Sequence, residues 1–246
     1  MAGKMQFSFK RYEKKYMLTP EQFARMLAGM KNNMRADEFG RYTICNIYYD
    51  TDDFQLIRAS LKKPVYKEKL RMRSYGVPDS RDKVFVELKK KYDSVVYKRR
   101  TVMAAADAVS YIHNGIAPER EDQICREIDW FMHSYHPTPK VYIAYDRAAF
   151  AGVENSELRI TFDTNLRWRD SELDLRAGDY GETLLSQDHI LMEIKIPGAT
   201  PVWLAHLLSE IGAFHTSFSK YGTWYTQNIL GRSLPKSIGK EVLACA

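Results

Sequence analysis

YKEKLRMRSY, residues 66–75, carries a cation at every second position: Lys67, Lys69, Arg71 and Arg73 fall on one parity, with Leu70 and Met72 on the other. In a β-strand, residues i, i+2 and i+4 point to one face, so this segment predicts a strand with four cations in a row on one side. The neighbouring segments repeat the device. In DKVFVELKKKY (82–92), Val84, Val86 and Leu88 oppose Lys83, Glu87, Lys89 and Lys91, with Phe85 among the charged set. In SVVYKRR (94–100) Lys98 and Arg100 share a parity, and in VYIAYDRAAF (141–150) Tyr145 and Arg147 do. ELRITFDTN (157–165) sets Leu158, Ile160 and Phe162 against Glu157, Arg159, Thr161 and Asp163, and HILMEIKI (189–196) sets Met192, Ile194 and Ile196 against Leu191, Glu193 and Lys195. Near the start, Arg11, Glu13 and Lys15 share one face.

One such strand reads as the solvated side of an outer sheet. Repetition argues otherwise, because like charges directly opposite one another destabilise a sheet unless an anion sits among them. Isolated charges are too costly for a dry core, so the basic faces border either solvent or a wet lumen holding acids and a polyanion. Closing the sheet gives the second arrangement, with the apolar faces covered by amphipathic helices. The expectation is an α+β fold: a closed antiparallel β-barrel of about eight strands with flanking helices, its wall studded with inward cations.

The remaining elements fit that plan. Strands are predicted over 7–18, 42–50, 64–75, 82–91, 94–101, 140–149, 157–163 and 189–196, by period-two alternation. Helices are predicted over 20–33, where Thr19 offers a cap and Pro20 the first helical position, and over 102–113, 120–134, 201–211 and 218–229. No linker divides the 246 residues, so one domain is expected over 1–230, with a loosely structured tail over 231–246. Lys and Arg total 37 against 31 acids, a net charge of +6, which favours an anionic partner. The run Lys89–Lys91 does not make a nucleic-acid patch, because alternation divides its lysines between faces; DNA is not an expected partner. Cys45, Cys125 and Cys245 are widely spaced, without metal-ligand spacing, which suits a reduced, cytoplasmic setting. The first residues show no apolar signal region, and no stretch approaches the roughly 20 apolar residues of a bilayer span. Asp50, Asp52 and Asp53 stand at a strand-to-helix junction, where aspartate caps the following helix. No glycine-rich phosphate loop occurs, so side chains must hold the phosphates of any nucleotide.

RYEKKY, EKLRMRSYG, ELKKKYDSVVYKRR, YDRAAF, RITFDTNL, MEIKI and SFSKYG, in that order across residues 11–222, resemble the polyphosphate polymerase (VTC) domain. That family belongs to the triphosphate tunnel, or CYTH-like, superfamily, alongside thiamine triphosphatases, class IV adenylate cyclases and fungal-type RNA triphosphatases. The resemblance implies a nucleoside triphosphate and a polyphosphate chain as ligands, Mg²⁺ or Mn²⁺ as cofactor, and chain extension with release of nucleoside diphosphate. It implies that Arg71 and Arg73 grip phosphate, with Lys15, Lys89 and Lys98 along the wall. Tyr145, Arg147 and Arg159 become further phosphate ligands and Glu193 the metal-binding acid. Ser219 and Lys220 match the family's terminal Ser-Lys pair. Eukaryotic members are tethered to a membrane, so a membrane partner enters the expectation. Two positions depart from the pattern: Ser217 stands where the yeast-type motif has lysine, and Arg11 stands where the hydrolytic relatives have the first glutamate of Glu-x-Glu-x-Lys.

Arginine suits such a site because its fork binds two phosphate oxygens and it stays charged. The expected catalytic set is Arg71, Arg73, Lys89, Arg147 and Lys220. Arg11, Lys15, Lys69, Lys91, Lys98, Arg100, Tyr145, Arg159, Lys195 and Ser219 bind substrate, and Glu193, Glu13 and Glu87 are the acids available to a metal. A polymerase needs no strong base, since the attacking phosphate is already ionised, whereas a hydrolase must activate water. Three functions follow: a polyphosphate polymerase, a tunnel triphosphatase, and a non-catalytic binder of polyphosphate or an inositol polyphosphate.

Overall fold

The period-two segments are strands. The computed structural model describes residues 12–93, 95–118 and 122–231. Its strands are β1 (Tyr12–Leu18), β2 (Met34–Asp50), β3 (Tyr66–Tyr75), β4 (Lys83–Tyr92), β5 (Val95–Ala104), β6 (Thr138–Gly152), β7 (Arg159–Arg169), β8 (Glu182–Thr183), β9 (Ile190–Ile196) and β10 (His215–Thr216). Its α-helices are α1 (Pro20–Met30), α2 (Gln55–Leu61), α3 (Ala105–Asn114), α4 (Gln123–Tyr135), α5 (Val202–Glu210) and α6 (Lys220–Tyr225). The strands belong to one antiparallel sheet in the order β10-β1-β9-β7-β6-β2-β3-β4-β5, with β8 paired to β7. Among the described residues there are ten strands, against about eight expected. Among the described residues these ladders do not close into a ring, and the strand at one end of the order, β10, offers only two residues for pairing.

Three differences from the sequence reading have local causes. β2 starts at Met34, eight residues early, because its first half is polar and largely exposed and so shows no apolar alternation. β5 runs on through Val102 and Met103, which pair with Phe85 and Val84, so α3 begins only at Ala105. α2 has seven residues, too few to display a helical period. Arg11 and most of the tail from 231 lie outside the described residues.

The chain gathers into two compact units. The first comprises the described residues up to Arg41, Arg147–Thr164 and Gln187–Ser217. In it, β9 pairs with β1 on one side and with β7 on the other. The apolar parity of these strands, including Leu18, Ile160, Phe162, Met192 and Ile194, packs with Met26 and Met30 of α1 and Leu204 of α5. α1 begins at a capping box: the Gln22 N–H donates to the Thr19 hydroxyl at 3.2 Å, and the Thr19 N–H donates to the Gln22 side chain at 3.0 Å.

The second unit comprises Tyr42–Asp146, Asn165–Ser186 and the described residues from Phe218. In it β2, β3, β4 and β5 form an antiparallel meander. Leu70, Met72, Val84, Val86 and Leu88 are essentially unexposed, packed with Ala108, Tyr111 and Ile112 of α3 and Ile128 and Phe131 of α4. With one face of the meander sealed this way, the charged parity is committed to the other.

Arg169 holds the loop that follows β7. Its guanidinium donates to the carbonyls of Glu172 (3.2 Å), Asp174 (2.9 Å), Gly178 (3.0 Å) and Tyr180 (3.0 Å), and lies 3.6 Å from the Tyr142 ring centroid. Lysine cannot reproduce that planar fork. Arg169→Lys is expected to cost about 2–3 kcal/mol, measured by chemical denaturation; an unchanged midpoint would contradict the role.

Candidate functional site

In the second unit, register turns the charged parity of three strands into rows. Lys69, Lys89 and Lys98 stand directly opposite one another across β3, β4 and β5, and so do Arg71, Glu87 and Arg100. Lys67 pairs with Lys91 one row further on. Glu87 is the only carboxylate on this face of the three strands among the described residues, and it is buried to 1% exposure. Its Oε2 accepts from Arg71 Nε at 2.8 Å and Nη2 at 2.6 Å, while Arg73 Nε lies 3.9 Å away. Its Oε1 accepts from Lys98 Nζ at 2.8 Å and from Arg100 Nε at 2.7 Å. A single negative charge thus organises four positive ones. The rows have a surplus of charge that an anion would neutralise.

Electrostatics follow from that packing. Burial pushes the Glu87 carboxyl up, but Arg71, Arg73 and Lys98 outweigh it and hold the group well below the usual carboxylate range. Burial pushes the Lys98 ammonium down, Glu87 pulls it back, and Arg100 and Arg71 push it down again, leaving it at about 8.

β2 supplies the next layer. Asn46 and Tyr48 lie opposite Arg73 and Arg71 in register. Arg73 Nε donates to Asn46 Oδ1 at 2.9 Å, and its Nη2 donates to the Tyr145 hydroxyl at 3.2 Å. Arg71 Nη1 donates to the Tyr48 hydroxyl at 3.4 Å. Asn46 is itself anchored, donating to the Ile143 carbonyl at 3.0 Å. Both arginines are therefore held with their forks aimed, which side-chain flexibility alone would not give. Asn46 and Tyr48 were not read from the sequence. Their signal is the parity they share with Asp50 in an otherwise apolar run, ICNIYYD.

Ser219 and Lys220 join the same unit from the start of α6. Lys69 Nζ donates to Ser219 Oγ at 3.0 Å, and Lys220 Nζ lies 4.2 Å from the Tyr145 ring centroid. The structure thus brings together Lys69, Arg71, Arg73, Glu87, Lys98, Arg100, Tyr145, Ser219 and Lys220 of the predicted set. Of the aspartates at the strand-to-helix junction, Asp50 caps: it accepts from the N–H groups of Leu56 and Ile57 (both 2.9 Å) in the first turn of α2, and from that of Thr51 (2.8 Å) before it, whereas Asp52 binds Thr138 and Lys140 and Asp53 accepts from the Thr51 hydroxyl at 2.6 Å and pairs with Arg58. Lys90, on the opposite parity from Lys89, reaches Glu127 at 3.3 Å, as the division of that run between faces requires.

In the first unit the charged parity mixes both signs. Register sets Lys15 beside Glu193 and Glu193 beside Thr161, with Glu13 beside Lys195 and Lys195 beside Arg159. Lys15 Nζ lies 3.5 Å from Glu193 and 3.8 Å from Glu13. Arg147 binds Asp163 through two parallel bonds of 2.6 and 2.8 Å and lies 3.5 Å from Glu193. Arg159 is exposed. Among the described residues no three His, Cys, Asp or Glu side chains gather to hold a metal by themselves. Magnesium usually takes only one or two carboxylates, completed by substrate phosphates and water, and that demand is one Glu193 and Glu13 fit. Beside Glu193, the Thr161 hydroxyl is buried without a hydrogen-bond partner, a further oxygen that such a ligand would satisfy.

The fold comes first: one antiparallel sheet with flanking helices. Two solved structures share it, at identities that speak for the fold alone. One is a protein from Bacillus halodurans assigned as an adenylate cyclase, 15% identical with TM-score 0.52, covering 91% of this chain and 96% of that one. The other is a Hippeastrum protein assigned as an adenylyl cyclase with a dominant triphosphatase activity, 16% identical with TM-score 0.53, covering 88% and 96%. Within that class, the VTC domain model matches residues 10–227, and the chain belongs to the VTC domain family. It is similar to subunit 4 of the vacuolar transporter chaperone complex from Trypanosoma brucei brucei, 29% identical over 50% of this chain and 19% of that protein. It is likewise similar to subunit 4 from Schizosaccharomyces pombe, 26% identical over 72% of this chain and 29% of that protein. The chain spans less than a third of the length of these curated relatives. No helix among the described residues is long and apolar enough to cross a membrane.

Proposed function

We propose that the chain is an ATP-dependent polyphosphate polymerase, transferring the γ-phosphate of a nucleoside triphosphate to a growing polyphosphate chain. The observation that carries this reading is the set of opposed cation rows on β3, β4 and β5, arranged around the single carboxylate of Glu87. Phosphoryl transfer places charge on the non-bridging oxygens, and fixed guanidinium and ammonium groups stabilise it without reorganising. Arg71 and Arg73 bind and orient phosphate oxygens; Lys69, Lys89, Lys98 and Arg100 neutralise the chain beside them. Lys220 and Ser219 hold the attacking end. A terminal phosphate oxygen attacks the γ-phosphorus, forming a new P–O–P bond as the bond to the β-phosphate oxygen breaks and ADP leaves. In the first unit Glu193 and Glu13 would hold Mg²⁺ or Mn²⁺, which when bound neutralises phosphate charge. Asp163, committed to Arg147 by two short bonds, is poorly placed to activate water, which favours chain growth over hydrolysis. The names of the curated relatives support a place within a larger complex; a cytoplasmic setting beside a membrane partner is part of the same proposal.

The triphosphatase reading draws on the Hippeastrum neighbour. Incubation with γ-labelled ATP and Mn²⁺, resolved on a polyphosphate gel, separates the possibilities. Label in an acid-labile polymer is expected; label in orthophosphate alone means hydrolysis, and no turnover with any metal means a binding module.

The pH dependence of anion binding gives a second check with two opposite signs. Because Lys98 loses its proton at about 8, tripolyphosphate affinity is expected to fall as pH rises through that value. At Lys98 the folded chain there holds fewer protons than the unfolded one, so this group's contribution to the stability of the unliganded protein rises between about 8 and 10.5; the buried tyrosines, Tyr49 and Tyr221 among them, contribute with the opposite sign at the top of that window, so the trend is read as the difference between wild type and Lys98→Arg. Lys98→Arg, which stays charged, is expected to flatten both trends in calorimetric and denaturation titrations.

A further inference from the structure

The Asp50 carboxylate, with 0% exposure, makes one contact that capping does not require. Besides the backbone N–H of Thr51 and those of Leu56 and Ile57 at the start of α2, its Oδ2 accepts from the Tyr221 hydroxyl at 2.9 Å, bridging 171 residues to α6. Burial and Asp50 itself push the Tyr221 hydroxyl up, so it remains a donor across the working pH range. The Tyr221 ring stacks on Tyr48 at 5.0 Å with 6° between planes, and on Trp224 at 5.8 Å with 13°. Lys69 Nζ lies 5.8 Å from its centroid. Tyr221 thus touches the residue that binds Arg71 on one side and follows Ser219 and Lys220 directly in sequence on the other. Without the Tyr221 hydroxyl, Asp50 would still accept three N–H bonds, so the fold does not need this one.

We propose that Tyr221, locked by Asp50, is a positioning residue that fixes the Ser219–Lys220 turn against Lys69 and Tyr145 for binding the phosphate chain. The proposal rests on the reading of that turn as a phosphate site. The ring contacts of residue 221 with Tyr48, Trp224 and Lys69 survive Tyr221→Phe, as do those of Trp224 with Phe54 and Trp168, so the variant folds while the turn loses its orientation.

The test is calorimetric titration of tripolyphosphate into the full chain as wild type, Tyr221→Phe, Lys220→Ala and the double variant. Tyr221→Phe is expected to weaken binding about fivefold to tenfold while lowering the thermal midpoint by only about 2–4 °C. In the Lys220→Ala background its effect should shrink to less than about twofold, because the charged group it positions is gone and only Ser219 remains. Wild-type affinity in Tyr221→Phe, or its full effect on top of Lys220→Ala, overturns the positioning role. Absence of tripolyphosphate binding by the wild type overturns the phosphate reading and the proposal with it.

Discussion

Glu87→Gln is expected to destabilise the unliganded protein by about 3–5 kcal/mol, because it strips the counter-charge from Arg71, Lys98 and Arg100 and from the nearby Arg73. Glutamine keeps the shape and one acceptor oxygen, so the loss reports charge and not volume. A bound phosphate chain supplies the missing negative charge. Tripolyphosphate should therefore raise the melting temperature of Glu87→Gln by more than it raises that of the wild type, since a ligand of the native state stabilises it more the more tightly it binds. The acid limb changes as well. In the wild type the unfolded chain takes up a proton at Glu87 near pH ~4.3, and the folded chain resists it to lower pH. The carboxylate's contribution is complete above that value and disappears as pH falls through the folded one. Glu87→Gln should lack that part of the acid sensitivity. Equal stability in the two proteins, or equal rescue by tripolyphosphate, would refute Glu87 as the organising charge.

The second large effect is on turnover. Arg71→Ala and Arg73→Ala are each expected to lower kcat/KM by about 10²–10³, the usual loss when one fixed donor to a developing charge is removed. Arg73 is the sharper case, because it is almost fully buried and its fork is set by Asn46 and Tyr145. Arg73→Lys keeps the charge but cannot make both bonds, so it should recover only part of the activity. Asn46→Ala leaves the guanidinium in place but unaimed; a loss in kcat with little change in anion affinity is its expected signature. Full activity in Arg73→Ala would remove phosphate stabilisation from this face.

Much of this face is legible in the sequence, and for a covalent reason: side chains alternate along a strand whatever surrounds them. The parity of Lys69, Arg71 and Arg73, and the separation of Lys89 from Lys90, follow from that alone. Asp50 was legible as a cap, since aspartate at the end of a strand accepts from the helix that follows. What parity does not reveal is the partner across the ladder. A glutamate in a basic strand looks the same whether it holds a metal or gathers arginines, and only the register of Arg71, Glu87 and Arg100 surrounds Glu87 with cations. The Tyr48–Tyr221 stack joins segments 173 positions apart, beyond any local period. The polar start of β2 and the short α2 lacked periodic signal for the opposite reason: one has no buried face to alternate, and the other too few turns.

Phosphorus NMR of the full chain with ATP and Mn²⁺, beside the Arg71→Ala/Arg73→Ala double variant, tests the central claim most directly. Bridging-phosphate signal growing one for one with ADP in the wild type, and absent in the variant, is the predicted result. Orthophosphate as the sole phosphate product of the wild type, or undiminished polymer from the variant, would contradict it.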